Sequence, residues 1–73
     1  MKWKTSAREA YQESYSGRAH AYYYIYRADN ALWRAGRWMF NHDVDFRIDF
    51  PNPTAARYYI ETYDQEVMLI EAM

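Results

Sequence analysis

Between residues 43 and 50, apolar and charged side chains alternate without a break. Val44, Phe46, Ile48 and Phe50 stand against Asp43, Asp45, Arg47 and Asp49. A period of two is the repeat of a β-strand, whose successive side chains point to opposite faces. The segment therefore predicts a half-buried strand with its four apolar residues towards a core and its charges towards water. Pro51-Asn52-Pro53 stops it, because proline donates no ladder hydrogen bond. Asn52 suits a helix N-cap and Pro53 the first helical position. A helix is predicted from there to about Tyr63, with Ala56, Tyr59, Ile60 and Tyr63 along one side. Asp64-Gln65 reads as a turn, and residues 67–70 as a second strand flanked by Glu66 and Glu71.

The first half of the chain carries helix-like spacing. Ser6 followed by Glu9 is a capping-box pattern, and Ala7, Ala10, Tyr11, Ser14 and Tyr15 fall near one helical face, with Gly17 placed to end it. Ala21, Ile25, Ala28, Leu32, Ala35 and Met39 recur at steps of three and four, predicting an amphipathic helix over residues 19–36. Tyr22-Tyr23-Tyr24-Ile25-Tyr26 favours the alternative, a strand turning at Asp29-Asn30. The good helix formers Ala28, Ala31, Leu32, Arg34 and Ala35 weigh for the helix. The expected fold class is α+β, in the order helix-helix-strand-helix-strand, with a two-stranded sheet covered by helices.

With 73 residues, the chain has room for one compact domain spanning 1–73. Its 51% apolar content is too high for a disordered tail. No cysteine is present, which excludes disulfides and thiolate metal sites. The net charge of -1 excludes a generic polycation. The charge is polarised, however. Residues 1–37 hold seven basic side chains against three acidic, a net +4, and residues 38–73 hold two against seven, a net -5. Such a split implies either halves that attract each other or a surface with a basic and an acidic side. No apolar run of signal-peptide or membrane-spanning length occurs, so the expected location is the cytoplasm, with no membrane association.

Candidate chemistry is sparse. His42, Asp43, Asp45 and Asp49 could in principle hold a metal, but Arg47 lies between the last two aspartates on the same strand face and opposes a cation. The two histidines have no neighbouring nucleophile pattern, and two glycines cannot build a phosphate loop. Neither catalysis nor a cofactor is expected. The aromatic content points elsewhere: nine Tyr, three Trp and three Phe exceed what so small a core can hide. On a helix, three consecutive tyrosines span about 200 degrees of the circumference, so at least one of Tyr22, Tyr23 and Tyr24 should face water, with Tyr23 the first choice. Tyr, Trp and Arg are also the residues that dominate binding hot spots. The candidate protein-binding set is Arg18, Tyr22, Tyr23, Tyr26, Trp33, Arg34, Arg37 and Trp38, with Asp43, Asp45 and Asp49 as a second surface. A nucleic-acid-binding module is the rival reading, with Arg18, Tyr22, Tyr26 and Arg37 as contacts. The acidic second half makes the expected direct nucleic-acid binding weak or absent.

In its size and its Lys2-Trp3-Lys4 opening, the chain resembles phage-encoded p7-type regulators of bacterial RNA polymerase. The resemblance implies a host-takeover protein that binds the polymerase in the host bacterial cytoplasm, inhibits initiation sterically and promotes terminator readthrough. It carries no functional residue with it. Inhibition of a different host enzyme by the same kind of surface is the remaining alternative.

Overall fold

Residues 11–16, 21–27 and 33–39 are strands, not helices. The computed structural model describes residues 2–6, 10–17 and 20–72, with side chains through residue 64. Five strands, β1 (Lys4–Thr5), β2 (Tyr11–Ser16), β3 (Ala21–Arg27), β4 (Trp33–Met39) and β5 (His42–Asp45), are followed by one helix, α1 (Pro53–Ala72). The strands form a single sheet in the order β1-β2-β3-β4-β5, each pair antiparallel. The domain is thus a five-stranded meander with a C-terminal helix. This corrects the expected helix-helix-strand-helix-strand order.

The strand alternation was hidden by chemistry. Along β2 the side chains facing α1 are Gln12, Ser14 and Ser16, all buried, while Tyr11 and Tyr15 on the other side are exposed. The polarity is the reverse of what a hydrophobic pattern detects. In β3 both faces are aromatic or apolar, so no contrast marks the period. Strand preference of the aromatic run prevails over helix preference of the alanines, because tertiary pairing decides such cases. The chain turns between Ala28 and Leu32, around Asp29-Asn30. Ala31 N–H donates to Ala28 O at 3.0 Å, and Leu32 N–H donates to Asn30 Oδ1 at 3.2 Å. Ala31 takes φ 65°, the left-handed position of such loops. The expected helix 6–16 has its Glu9 outside the described residues, and its remainder is mostly β2.

The strand read at 43–50 exists only in part. β5 ends at Asp45, although Phe46 N–H still donates to Ala35 O at 3.0 Å. Pairing resumes at Phe50, which exchanges both backbone hydrogen bonds with Trp33 at 2.8 and 2.7 Å. Residues 47–49 therefore oppose the single residue Arg34. Arg47 makes the kink at φ 58°, its N–H held at 2.7 Å by Asp45 Oδ1. Two extra residues leave the period of two intact for Phe46 and Phe50, and both join the core, but Ile48 falls in the bulged segment and is exposed.

Asn52 caps α1 as the sequence predicts, its Oδ1 accepting from Ala55 N–H at 2.8 Å. The helix does not stop at Tyr63. It runs to Ala72, so the strand expected at 67–70 is a correction too. No glycine or proline follows Pro53, and extending an existing helix costs far less than starting a strand. As far as Asp64, the buried line of α1 is Ala56, Ile60 and Asp64, four residues apart. The core lies between α1 and one sheet face: Tyr23, Ile25, Trp33, Ala35, Phe50, Ala56 and Ile60, with Trp3, Phe46, Tyr59 and Tyr63 packed against it. The polar inner face of β2 meets polar groups of the helix. Arg57 donates to Gln12 Oε1 at 2.6 Å, and Ser16 and Tyr23 hydroxyls donate to Asp64 Oδ1 at 2.9 and 3.3 Å.

Candidate functional site

Because α1 covers one side of the sheet, the register assigns every strand residue to a covered or an open face. The pairs Lys4↔Glu13, Glu13↔Tyr24, Tyr24↔Gly36 and Gly36↔Asp45 form one cross-strand row on the open face. Tyr15↔Tyr22, Tyr22↔Trp38 and Trp38↔Asp43 form a second, and Tyr11↔Tyr26 and Tyr26↔Arg34 a third. Six aromatic side chains therefore share a surface that no described element covers. Tyr15 and Tyr22 are in ring contact at 4.9 Å between centroids, Tyr11 stacks near Tyr24 at 6.1 Å, and Tyr24 near Tyr26 at 6.1 Å.

Gly36 is what lets the middle row lie flat. A Cβ there would sit 2.2 Å from the Tyr24 hydroxyl oxygen and 2.3 Å from its Cζ. The Tyr24 ring thus covers the glycine across the strand pair. From that position its hydroxyl donates to Asp43 Oδ1, while the Tyr26 hydroxyl donates to Asp45 Oδ2 at 2.5 Å. Tyr11 donates to Glu13 Oε2 at 3.4 Å. Burial, with Asp43 second, pushes the Tyr24 phenol far above its ordinary range. The bond to Asp45, then burial, also raises the Tyr26 phenol, and burial, then Glu13, raises that of Tyr11. Burial pushes the Asp45 carboxyl up, but the Tyr26 hydroxyl, the Arg47 N–H and the charges of Arg34 and Arg47 outweigh it, and the net shift is downward. At neutral pH these tyrosines are protonated donors and Asp45 a charged acceptor. Such phenols are poor nucleophiles and bases, and the array is suited to holding a fixed shape.

The structure gathers much of the sequence-derived set here. Tyr22, Tyr26, Arg34, Trp38, Asp43 and Asp45 all lie on the open face. Asp49, beyond β5, joins them through Arg34, whose Nε donates to its Oδ1 at 2.9 Å. Tyr23, Trp33 and Arg37 lie on the covered face instead. Tyr23, expected to be exposed, is fully buried, because residues 22–24 alternate on a strand and the outward members are Tyr22 and Tyr24. Trp33 is core, and Arg37 lies 5.8 Å from the Tyr63 ring centroid and donates to its hydroxyl at 3.4 Å. Arg18 lies outside the described residues. His42 faces the covered side opposite Met39, so the candidate His-Asp metal cluster is split across the sheet. Among the described residues no group of three or more His, Asp or Glu could hold a metal ion, and no helix is long and apolar enough to cross a membrane.

Sequence reasoning missed Tyr11, Tyr15, Tyr24, Lys2, Lys4 and Phe40. Lys2-Trp3-Lys4 contains the signal for two of them. Trp3 turns under the helix, where its Nε1–H donates to Glu61 Oε1 at 3.2 Å, and both lysines turn to a cleft on the open side. Phe40 is at the β4–β5 hairpin tip and is 85% exposed. It and Asn41 hold φ 52° and 59°, as a two-residue type I′ turn requires. No protein-family model matches the chain, and no curated protein or solved structure matches it at a significant level.

Proposed function

We propose that the chain is a non-catalytic protein-binding module whose contact surface is the β3–β5 part of the open sheet face and the adjoining hairpin tip. The observation that carries this is Phe40. A bulky residue at positive φ is costly, and this one gains almost no burial in return. Trp38 stands two residues away on β4 and is also exposed, with Asp43 paired beside it and Asp45, Arg34 and Asp49 farther along the same face. An aromatic centre with a charged rim is the usual anatomy of a protein interface. The mixed charge of this part disfavours a polyanion.

Bacterial RNA polymerase is the partner proposed, on the resemblance of the chain's size and opening to the phage p7-type regulators. The action is steric: a bound domain of this size covers a surface needed for promoter recognition, and transcription initiation falls. The test is retention of purified bacterial RNA polymerase on the immobilised protein, followed with Trp38→Ala and Arg34→Glu. Each should weaken capture by tenfold or more, about 1.4 kcal/mol, while leaving the folded far-UV spectrum unchanged. A polymerase that is not retained by the unmodified protein removes the partner. Full retention by both folded variants removes this surface.

A further inference from the structure

At the opposite end of the open face, Lys2, Lys4, Glu13, Ser14, Tyr15 and Tyr22 line an open cleft of about 190 Å³. Its floor is an aromatic pair, Tyr15 and Tyr22, whose rings are in contact at 4.9 Å and about half exposed, at 53% and 48%. Two lysines line it against one glutamate. On the covered side of β2, Ser14 ties down the N-terminal segment by donating its hydroxyl to Lys2 O at 2.5 Å. The row continues past the cleft: Tyr22 pairs in register with Trp38, itself 43% exposed. Exposed rings on three adjacent strands, entered from a pair of lysines, offer a flat ligand successive stacking surfaces with an anion site at one end.

We infer that this cleft binds a nucleoside phosphate, either free or as one unit of a single-stranded nucleic acid. The base lies on Tyr15 and Tyr22, and the phosphate is held by Lys2 and Lys4. A second base of a strand reaches Trp38. The footprint ends there, because Asp43 pairs with Trp38 on the next strand and repels a further phosphate. A site of one or two nucleotides reconciles an aromatic sheet face with a chain of net charge -1. A double helix is excluded from it, since paired bases do not offer their faces. The site shares Tyr22 and Trp38 with the β3–β5 face but not Phe40 or Arg34, so nucleotide titration and polymerase capture fail independently.

The test is a titration of the full chain, followed by amide and aromatic NMR shifts, with a thymidine hexanucleotide, thymidine 5′-monophosphate and inorganic phosphate. Saturable shifts at Lys4, Tyr15 and Tyr22 with the hexanucleotide and the monophosphate are expected, with Trp38 added for the hexanucleotide. Shifts with the hexanucleotide alone identify a single strand as the source, and equal affinities identify a free nucleotide. Tyr15→Ala should weaken binding by fivefold or more, the low end of one lost stacking contact, while Tyr15→Phe retains it. Lys4→Gln provides a second exposed variant that leaves the aromatic floor in place and should weaken binding by at least threefold. Two lysines on a single strand imply that a fourfold rise in salt lowers affinity about sevenfold. Absence of saturable shifts at low salt overturns the inference. So does phosphate alone matching the monophosphate with Tyr15→Ala unaffected, which would reduce the cleft to a pair of lysines. Shifts with a phosphotyrosine peptide but none with either nucleotide would assign it to a protein ligand and equally overturn it.

Discussion

β3 carries the same residue type on its two faces with opposite consequences. Tyr23 is fully buried under α1, its hydroxyl on Asp64, and its neighbour Ile25 is equally buried. Tyr22, one position away, is 48% exposed, and Tyr24 and Tyr26 lie flat on the open side with their hydroxyls on Asp43 and Asp45. Tyrosine suits both settings because it joins a large apolar ring to a polar tip. Which setting it occupies is decided by parity along the strand and by where the helix lies. The covered face is held by burial. The open face is held by cross-strand ring contacts and charge-assisted hydrogen bonds, each contributing less. A domain of this size has a total stability of only about 4–11 kcal/mol, so the two faces should respond to substitution on different scales.

The largest effect is expected under the helix. Ile60 is fully buried among Tyr23, Ala35 and other core residues, and Ile60→Ala should cost about 2–5 kcal/mol. Urea unfolding measures this directly, and Tyr15→Ala on the open face is the contrast, at about 0.2–1 kcal/mol for its lost cross-strand pair with Tyr22. Similar midpoints for the two variants would mean that the helix does not cover the sheet as described.

The open face has one position where a small change should have a large result. In Gly36→Ala the new methyl meets the Tyr24 ring, which must leave both the glycine and Asp43. Overpacking of this kind costs about 1–3 kcal/mol. A double variant, Gly36→Ala with Tyr24→Ala, should be less destabilised than the sum of the two single changes. Strict additivity would show that the ring does not rest on the glycine.

Alkaline titration probes both faces, which respond with the same sign. Burial, then Asp64, pushes the Tyr23 phenol up to about 12 from its ordinary 10.0. The unfolded chain loses this proton first. Stability is therefore fully present below about pH 10 and is lost as pH rises towards 12. Tyr11, Tyr24 and Tyr26 are shifted the same way and add to the slope. Tyr23→Phe should flatten the fall in thermal midpoint between pH 10 and 12 without abolishing it. An unchanged slope in that variant would place the alkaline sensitivity wholly on the open face.

These contrasts also explain what could be read in advance. The Asn52-Pro53 helix start follows from local chemistry that needs no partner, and the structure has it. Val44, Phe46 and Phe50 follow from a polar-apolar alternation that survives the Arg47 kink. β2 was illegible because its buried residues are Gln12, Ser14 and Ser16, and the partners of Gln12 and Ser16, Arg57 and Asp64, lie about fifty residues away. The aromatic binding set was half legible. Residue type located it in the right segment, but assigning a helix to a strand replaced a period of two by one of 3.6 and put Tyr23 on the wrong side. Tyr11 and Tyr15 were absorbed by the same error into the face of a supposed helix.

The smallest stability effects lie at the two ends of β4, and they separate structure from function most sharply. Ala31, before the strand, and Phe40, after it, both sit at positive φ, where an L-residue is strained by about 1–2 kcal/mol. Glycine removes that strain but enlarges the freedom of the unfolded chain, at a cost of about 0.4–1 kcal/mol. Ala31→Gly and Phe40→Gly should therefore each raise stability by roughly 0.5 kcal/mol. Phe40 is so exposed that losing its ring removes little packing. In partner capture the two should diverge. Ala31→Gly leaves the open face and the hairpin tip as they are, so polymerase retention should not change. Phe40→Gly removes the ring for which the strained turn is tolerated, and retention should fall by tenfold or more. Equal retention in both, with both more stable, would show that the exposed phenylalanine is not a contact and that the interface lies closer to Trp38 and Arg34.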